Sequence, residues 1–174
     1  MKLSQNGHAT EFYNKVESSA KYLYTGTRDF IWSIDPVNDE LTKLFFHIRD
    51  FGEKLFEEKG IHFRAYNELK EKVQLPYGFS REANLILKEA MTNAFNHSQA
   101  VNVSFALRKT GEGFEMELKD DGVGFSQEAL ANTNGLANMR TRAGRIKSAI
   151  QIESQVNQGT QMRLIFPEFK THTV

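Results

Sequence analysis

The sequence predicts a two-layer α+β sandwich: a mixed, mainly antiparallel sheet covered on one face by about three helices, with one long helix ahead of it. Three observations carry that reading. Five short stretches, Ile61–Tyr66, Val101–Leu107, Phe114–Leu118, Ala149–Ser154 and Thr160–Phe166, read as strands, and in Val101–Leu107 and Phe114–Leu118 apolar and polar residues alternate. Three others, beginning near Leu41, Ser80 and Gly135, carry apolar residues at helical spacing. Their order is two helices and a strand, then paired strands, a helix and a final hairpin, which suits one sheet with helices gathered on a single face.

Taken along the chain, residues from about His8 to Ile34 form the first predicted helix. Phe12, Val16, Leu23, Phe30 and Ile34 stand near heptad spacing, and Pro36 ends the run. Such a stripe needs a partner, which is a second copy, a missing helix or the domain that follows. Ser33–Asp39 is a short linker, and Asn38 or Asp39 is the expected N-cap of the next helix. There Leu41, Leu44, Phe45, Ile48, Phe51 and Leu55 follow the i, i+3, i+4, i+7 pattern, and Gly60 stops it. After the strand Ile61–Tyr66, Leu69–Phe79 is irregular, and Ser80 is the expected cap of the helix that matters most.

That helix contains Leu85–Ala100. Glu89, Asn93 and His97 recur every four residues and so share one stripe, with Asn96 beside them, while Leu87, Ala90, Met91 and Ala94 face a core. Asparagine is unfavourable in mid-helix unless its side chain is engaged, so Asn93 points to a site. For His97 two readings stand level: a contact to a ligand, or a helix-end residue satisfied by a carbonyl or water. The second cluster is Lys119–Phe125. A strand ends in Asp120 and Asp121 and then turns through Gly122 and Gly124, whose freedom at positive φ lets a ligand approach the backbone. Asp121 is read as solvated. Ser126–Asn134 is polar and short, able to act as a lid, and Gly135–Lys147 is a helix. A turn at Asn157–Gly159 joins the last two strands.

Composition narrows the function. The chain has 174 residues and a formal net charge of zero, which gives no global bias toward nucleic acid or an anionic membrane. Cysteine is absent, so disulfides, thiol catalysis and cysteine-based zinc sites are excluded. No apolar run approaches the ~20 residues of a membrane span, and the first residues lack the apolar core of a signal peptide. No GxxxxGK[ST] loop occurs, so a P-loop ATPase is excluded.

Taken together, the Glu89–Asn93–His97 stripe, the Asp120–Gly124 turn, Asn134-Gly-Leu-Ala-Asn-Met139 and Gly159-Thr160 resemble the ATP-binding domain of sensor histidine kinases and their relatives, the Bergerat-fold ATPases. The resemblance covers about Asp39 to Pro167. It is nearest to a subgroup with a compact lid and a GLxNMxxRA helix, here Gly135–Ala143. Arg28–Pro36 is similar to the end of that subgroup's second dimerisation helix, in large membrane sensors and hybrid kinases among others. It implies a division into residues 1–36, a partial dimerisation helix and linker, and 37–174, a catalytic domain.

The resemblance also implies roles. Asn93 would coordinate Mg²⁺ shared with ATP phosphates, with Asn96 and His97 nearby, and Glu89 would be the base that orients or deprotonates the attacking group. Asp120 would accept a hydrogen bond from the adenine amino group, with Thr160 beside it, and Gly122 and Gly124 would let the backbone close on the nucleotide. Asn134, Gly135 and Leu136 would begin a helix whose free N–H groups suit phosphate. The activity implied is transfer of the γ-phosphate to a histidine on a dimerisation helix absent from this chain, for relay to a response-regulator receiver domain, in a cytoplasmic part of a homodimeric membrane sensor. A clamp-type ATPase and a degenerate dimerising module are the alternatives. Four departures from the pattern bear on the last: Thr133, Lys147, Ser148 and Asn157 stand where glycines are usual or near them.

Overall fold

The computed structural model describes residues 30–126 and 134–169, with positions 16, 17, 20 and 26–28 ahead of them. Most of the first predicted helix, and residues 127–133 of the predicted lid with Thr133, lie outside the described residues. Five strands follow the expected places: β1 (His62–Asn67), β2 (Asn102–Thr110), β3 (Gly113–Asp120), β4 (Ala149–Ser154) and β5 (Thr160–Pro167). They form one sheet in the order β1-β2-β3-β5-β4. Only the β1–β2 pair is parallel, so the sheet is mixed and mainly antiparallel. Helices α1 (Leu41–Glu57), α2 (Phe79–His97) and α3 (Asn134–Arg145) pack against each other and on one face of it.

The alternation read in the sequence decides which side of each strand is dry. Phe105 and Leu107 of β2, Phe114, Met116 and Leu118 of β3, and Met162, Leu164 and Phe166 of β5 are all buried toward the helices. Across that layer Phe45 stacks on Phe105 with centroids 5.1 Å apart, and Phe79 meets Phe166 at 4.9 Å. Each such ring removed from water contributes about 1.5–3 kcal/mol, so the layer contact dominates the fold's stability. The opposite face is polar, and its charges are largely neutralised in place. Arg108 spans Glu117 at 2.9 Å and Glu68 at 3.0 Å, and Arg163 pairs with Glu153. In α1, Gly52 has a packing reason: a Cβ there would stand 2.6 Å from the Phe63 ring, so the strand and helix approach only because it is absent.

Helix starts are where local reading and structure part. α2 begins one residue before Ser80, after a left-handed Gly78 that supplies no side-chain cap. The cap comes from another segment. The buried Asp39 carboxylate accepts long hydrogen bonds, 3.4 Å each, from the backbone N–H groups of Gly78 and Ser80. Ser80, wholly buried, donates its hydroxyl to Asn38 O at 3.0 Å. Asp39 is therefore spent on α2, and Glu40 stands at the N-cap of α1 without a side-chain hydrogen bond, the Leu41 N–H being bonded to Val73 O. The local-sequence rule fails at both helices because the chain crosses itself here, bringing a carboxylate to free N–H groups that lie some forty residues away.

Replacing Asp39 by alanine should lower stability by about 1–2 kcal/mol in urea titration, while Ser80→Ala, which leaves those N–H groups capped, should cost less. Equal losses would mean that the carboxylate does not cap α2.

Candidate functional site

The C-terminal half of α2, the end of β3, the start of β5 and the first turn of α3 enclose a cavity of about 480 Å³. Its size is that of a pocket for a small organic ligand. The walls are mostly apolar, from Leu118, Met139, Ile152 and Met162, with polar groups placed at two ends. Glu89, Asn93 and His97 all line it, so the predicted stripe does face a common space; His97 adjoins Ser98, on which Gly122 packs, while Glu89 and Asn93 form the end nearest α3. Gly135 closes against them: a Cβ there would stand 2.8 Å from Glu89 Oε1 and 3.9 Å from Asn93 Nδ2. The start of α3 thus lies directly beside the carboxylate and amide.

Asp120 and Thr160 form the other end, paired across β3 and β5. Asp120 is 6% exposed, and its Oδ1 accepts the Gly122 N–H at 2.9 Å. Burial pushes its carboxyl above the ordinary carboxylate range, and backbone hydrogen bonds from Gly122 and Thr160 only partly offset this. A buried acid at a cavity wall whose titration is shifted by desolvation is a candidate functional group. Asp121 is not merely solvated, as the sequence reading had it. It accepts from the backbone N–H of Val101 and of Asn102 at 2.9 and 2.8 Å, and from Asn102 Nδ2 at 2.7 Å. The Asn102 side chain and backbone hold its carboxyl below the ordinary range. Adjacent aspartates therefore do opposite things: one ties the entry of β2, the other faces the cavity.

The glycines of the motif work mainly by letting backbone meet backbone. A Cβ on Gly122 would fall 2.1 Å from Ser98 O, and Val123 N–H bonds that same oxygen at 2.7 Å. Gly122 is thus packed against the end of α2 and stands outside the cavity lining, whereas Gly124 lines it. Gly124 has φ +56, and a Cβ there would meet Gln155 O at 2.1 Å. Leu136 and Gly135 line the cavity, Asn134 begins α3, and Asn96 is exposed and lies outside the lining. Arg142 turns to Glu82, at 3.0 Å, and His47 stacks on Trp32 at 3.8 Å. Among the described residues no three His, Cys, Asp or Glu side chains gather as a metal site.

Sequence reasoning missed Phe125 and Ser154. Phe125 lines the cavity, and its N–H donates to Ser154 Oγ at 2.9 Å. A signal for Ser154 existed, since a hairpin turning at 157–159 sets it opposite Thr160.

The family model of the "histidine kinase-, DNA gyrase B-, and HSP90-like ATPase" matches residues 80–170, just over half of the chain. The chain belongs to this ATPase family. The matched span holds every side chain of the polar stripe, the acidic turn and Thr160. Curated relatives include the sensor protein VraS of Staphylococcus aureus, 26% identical over 141 residues, covering 74% of this chain and 40% of that protein. Sensor histidine kinase LiaS of Bacillus subtilis is 34% identical over 89 residues, 49% of this chain and 25% of that protein. The chain thus spans about two-fifths or less of the length of these relatives. Among solved structures, the Acinetobacter baumannii histidine kinase AdeS superposes with a TM-score of 0.65 at 13% identity, covering 91% of this chain and 84% of that one. The histidine kinase domain from Erythrobacter litoralis EL346 gives 0.61 at 15%, covering 72% and 61%. At such identities these two establish the fold.

The two aspartates should separate in stability measurements. Asp120 titrates higher folded than unfolded, so its contribution favours the fold at low pH and is lost as pH rises through the folded value. Asp121 titrates lower folded, so its contribution is present above the unfolded value and lost as pH falls through the folded one. At pH 7, Asp120→Asn should therefore raise the melting temperature and Asp121→Asn lower it. The reverse order in thermal unfolding would contradict these environments.

Proposed function

We propose that this chain is the Mg·ATP-binding catalytic domain of a sensor histidine kinase, and that residues 1–36 are the end of a dimerisation helix and a linker ahead of the domain 37–174. The observation that carries the reading is the buried Asp120 at one end of an apolar cavity, with a carboxylate, an amide and a helix start at the other. That spacing of unlike ends suits a molecule with a flat, amine-bearing base and a polyanionic tail. ATP is such a molecule, and membership of the ATPase family supports it. The relatives bearing the words sensor and histidine kinase support the choice of reaction.

In this reading Asp120 accepts a hydrogen bond from the adenine amino group, Thr160 stands beside it, and Gly124 lets the backbone lie against the base. Phosphates run toward α3, where the first N–H groups of Asn134, Gly135 and Leu136 and the positive end of the helix dipole favour them. The donor set fits Mg²⁺ in one respect: Glu89 and Asn93 offer hard oxygen atoms in the cavity but too few to hold a cation alone, and Mg²⁺ keeps waters and substrate oxygens as its other ligands. Asn93 would hold the metal, which when bound neutralises phosphate charge. Glu89 orients the attacking imidazole and takes up its proton. His97, next to Ser98 and the Gly122 turn, would reach the nucleotide from the last turn of α2, and Asn96, outside the lining, would contact it only at its rim. The remainder of catalysis is positioning and electrostatic stabilisation of the transferred phosphoryl group. Its acceptor is a histidine on a helix of the same or a partner subunit, and a response-regulator receiver domain takes it next, in the cytoplasmic part of a homodimeric sensor. Among the described residues no helix is long and apolar enough to cross a membrane.

A degenerate, non-binding module draws little support. Lys147 and Asn157, which stand where glycines are usual or near them, hold φ of +52 and +61, so the chain keeps the left-handed turns that glycine would make.

Calorimetry with Mg·ATP tests the reading. Wild type should bind, Asp120→Asn should weaken binding by roughly tenfold or more, and Asn93→Ala should lose the dependence on magnesium. Because Asp120 must be ionised to accept the amino proton and titrates above the ordinary range, affinity should begin to fall on acidification before an unperturbed aspartate would protonate. Mixed with a polypeptide carrying the acceptor histidine helix, the chain should yield acid-labile, base-stable phosphate. Binding without any such product would point to a clamp-type ATPase instead.

A further inference from the structure

Ser154 ends β4, is 9% exposed, and has three polar neighbours for one hydroxyl. Phe125 N–H lies at 2.9 Å, Gly159 O at 3.0 Å and Thr160 Oγ1 at 3.0 Å. A hydroxyl has one proton and two acceptor sites. Phe125 N–H can only donate and Gly159 O can only accept, so one assignment satisfies all three contacts. Ser154 gives its proton to Gly159 O, takes Phe125 N–H on one lone pair and takes the Thr160 hydroxyl proton on the other.

The consequence falls on Thr160, which lines the cavity beside Asp120. With its proton committed to Ser154, Thr160 Oγ1 offers the cavity lone pairs only. Asp120, whose carboxylate oxygen accepts the Gly122 N–H, is also an acceptor. We propose that Ser154 is a specificity-determining positioning residue: by holding the Thr160 proton it turns that end of the cavity into a pair of acceptors. The pair takes a 6-amino purine, whose amino group has two N–H donors, and rejects a 6-oxo purine, whose oxygen would face two acceptors. This rests on the adenine-nucleotide reading above and deepens it. Discrimination is strong in such a case because the wrong ligand leaves buried polar groups unpaired.

Calorimetry with Mg·ATP and Mg·ITP on the full chain tests it. Wild type should prefer ATP by more than about tenfold. In Ser154→Ala the Thr160 hydroxyl is released and can donate to a 6-oxo group, so the preference should narrow by roughly tenfold. Ser154→Thr, which keeps the hydroxyl, should retain the wild-type preference. If Ser154→Ala weakens both nucleotides equally and leaves their ratio unchanged, Ser154 is only a structural support and the proposal is overturned. Should Ser154→Ala not fold, the wild type decides: equal binding of ATP and ITP overturns the acceptor pair, and a clear preference retained in Ser154→Thr supports it. Failure of the wild type to bind ATP would instead overturn the nucleotide reading, and this proposal with it.

Discussion

Main chain packed directly on main chain at Gly122, Gly124 and Gly159 is the contact on which the site depends. At each, a single added carbon would fall 2.0–2.1 Å from a carbonyl oxygen, of Ser98, Gln155 and Asp120 in turn. Three segments distant in sequence are thereby drawn to one point: the end of α2, the turn after β3 and the β4–β5 hairpin. Val123 joins two of them, receiving a hydrogen bond from Asn157 N–H and giving one to Ser98 O, each at 2.7 Å. Without that closeness the polar stripe of α2 and the buried aspartate of β3 would not border the same cavity.

The neighbouring aspartates illustrate how a fold allots cost. Asp121 is exposed and receives three hydrogen bonds, so ionisation helps the fold. Asp120 is buried with fewer donors, so its charge works against the fold at neutral pH. A core evolving for stability alone has no reason to retain a buried carboxyl group at the wall of an apolar cavity. A ligand that donates to it does supply one.

The helix bearing the stripe is held at both ends by other parts of the chain. Asp39 and Asn38 engage its N-terminal turn, and the turn after β3 bonds the carbonyl of its C-cap Ser98. The segment joined to its start is the stretch just ahead of α1, where Asn38 Nδ2 also bonds Trp32 O at 2.8 Å. Position of Glu89, Asn93 and His97 is therefore tied to that junction as well as to the core beneath them.

Sequence by itself determined the strands, the helix faces and the stripe, because alternation and four-residue spacing are properties of neighbours along the chain. Glu89, Asn93 and His97 were legible for that reason, as were the acid-then-glycine turn and the family resemblance those residues carry. Tertiary structure alone decided what had no local signature. Ser80 looked like a cap and is not one, because Asp39 reaches the same N–H groups first. Asp121 looked idle and anchors β2, and Gly122 packs on the end of α2 while its N–H holds the Asp120 carboxylate. Ser154 could be set opposite Thr160 from the hairpin turn alone, but its role arises only where Phe125 from the turn after β3 meets it and one hydroxyl must satisfy three partners. Local pattern tells which residues share a face; which groups from far apart meet, and where a shared proton goes, is settled only when the chain closes on itself.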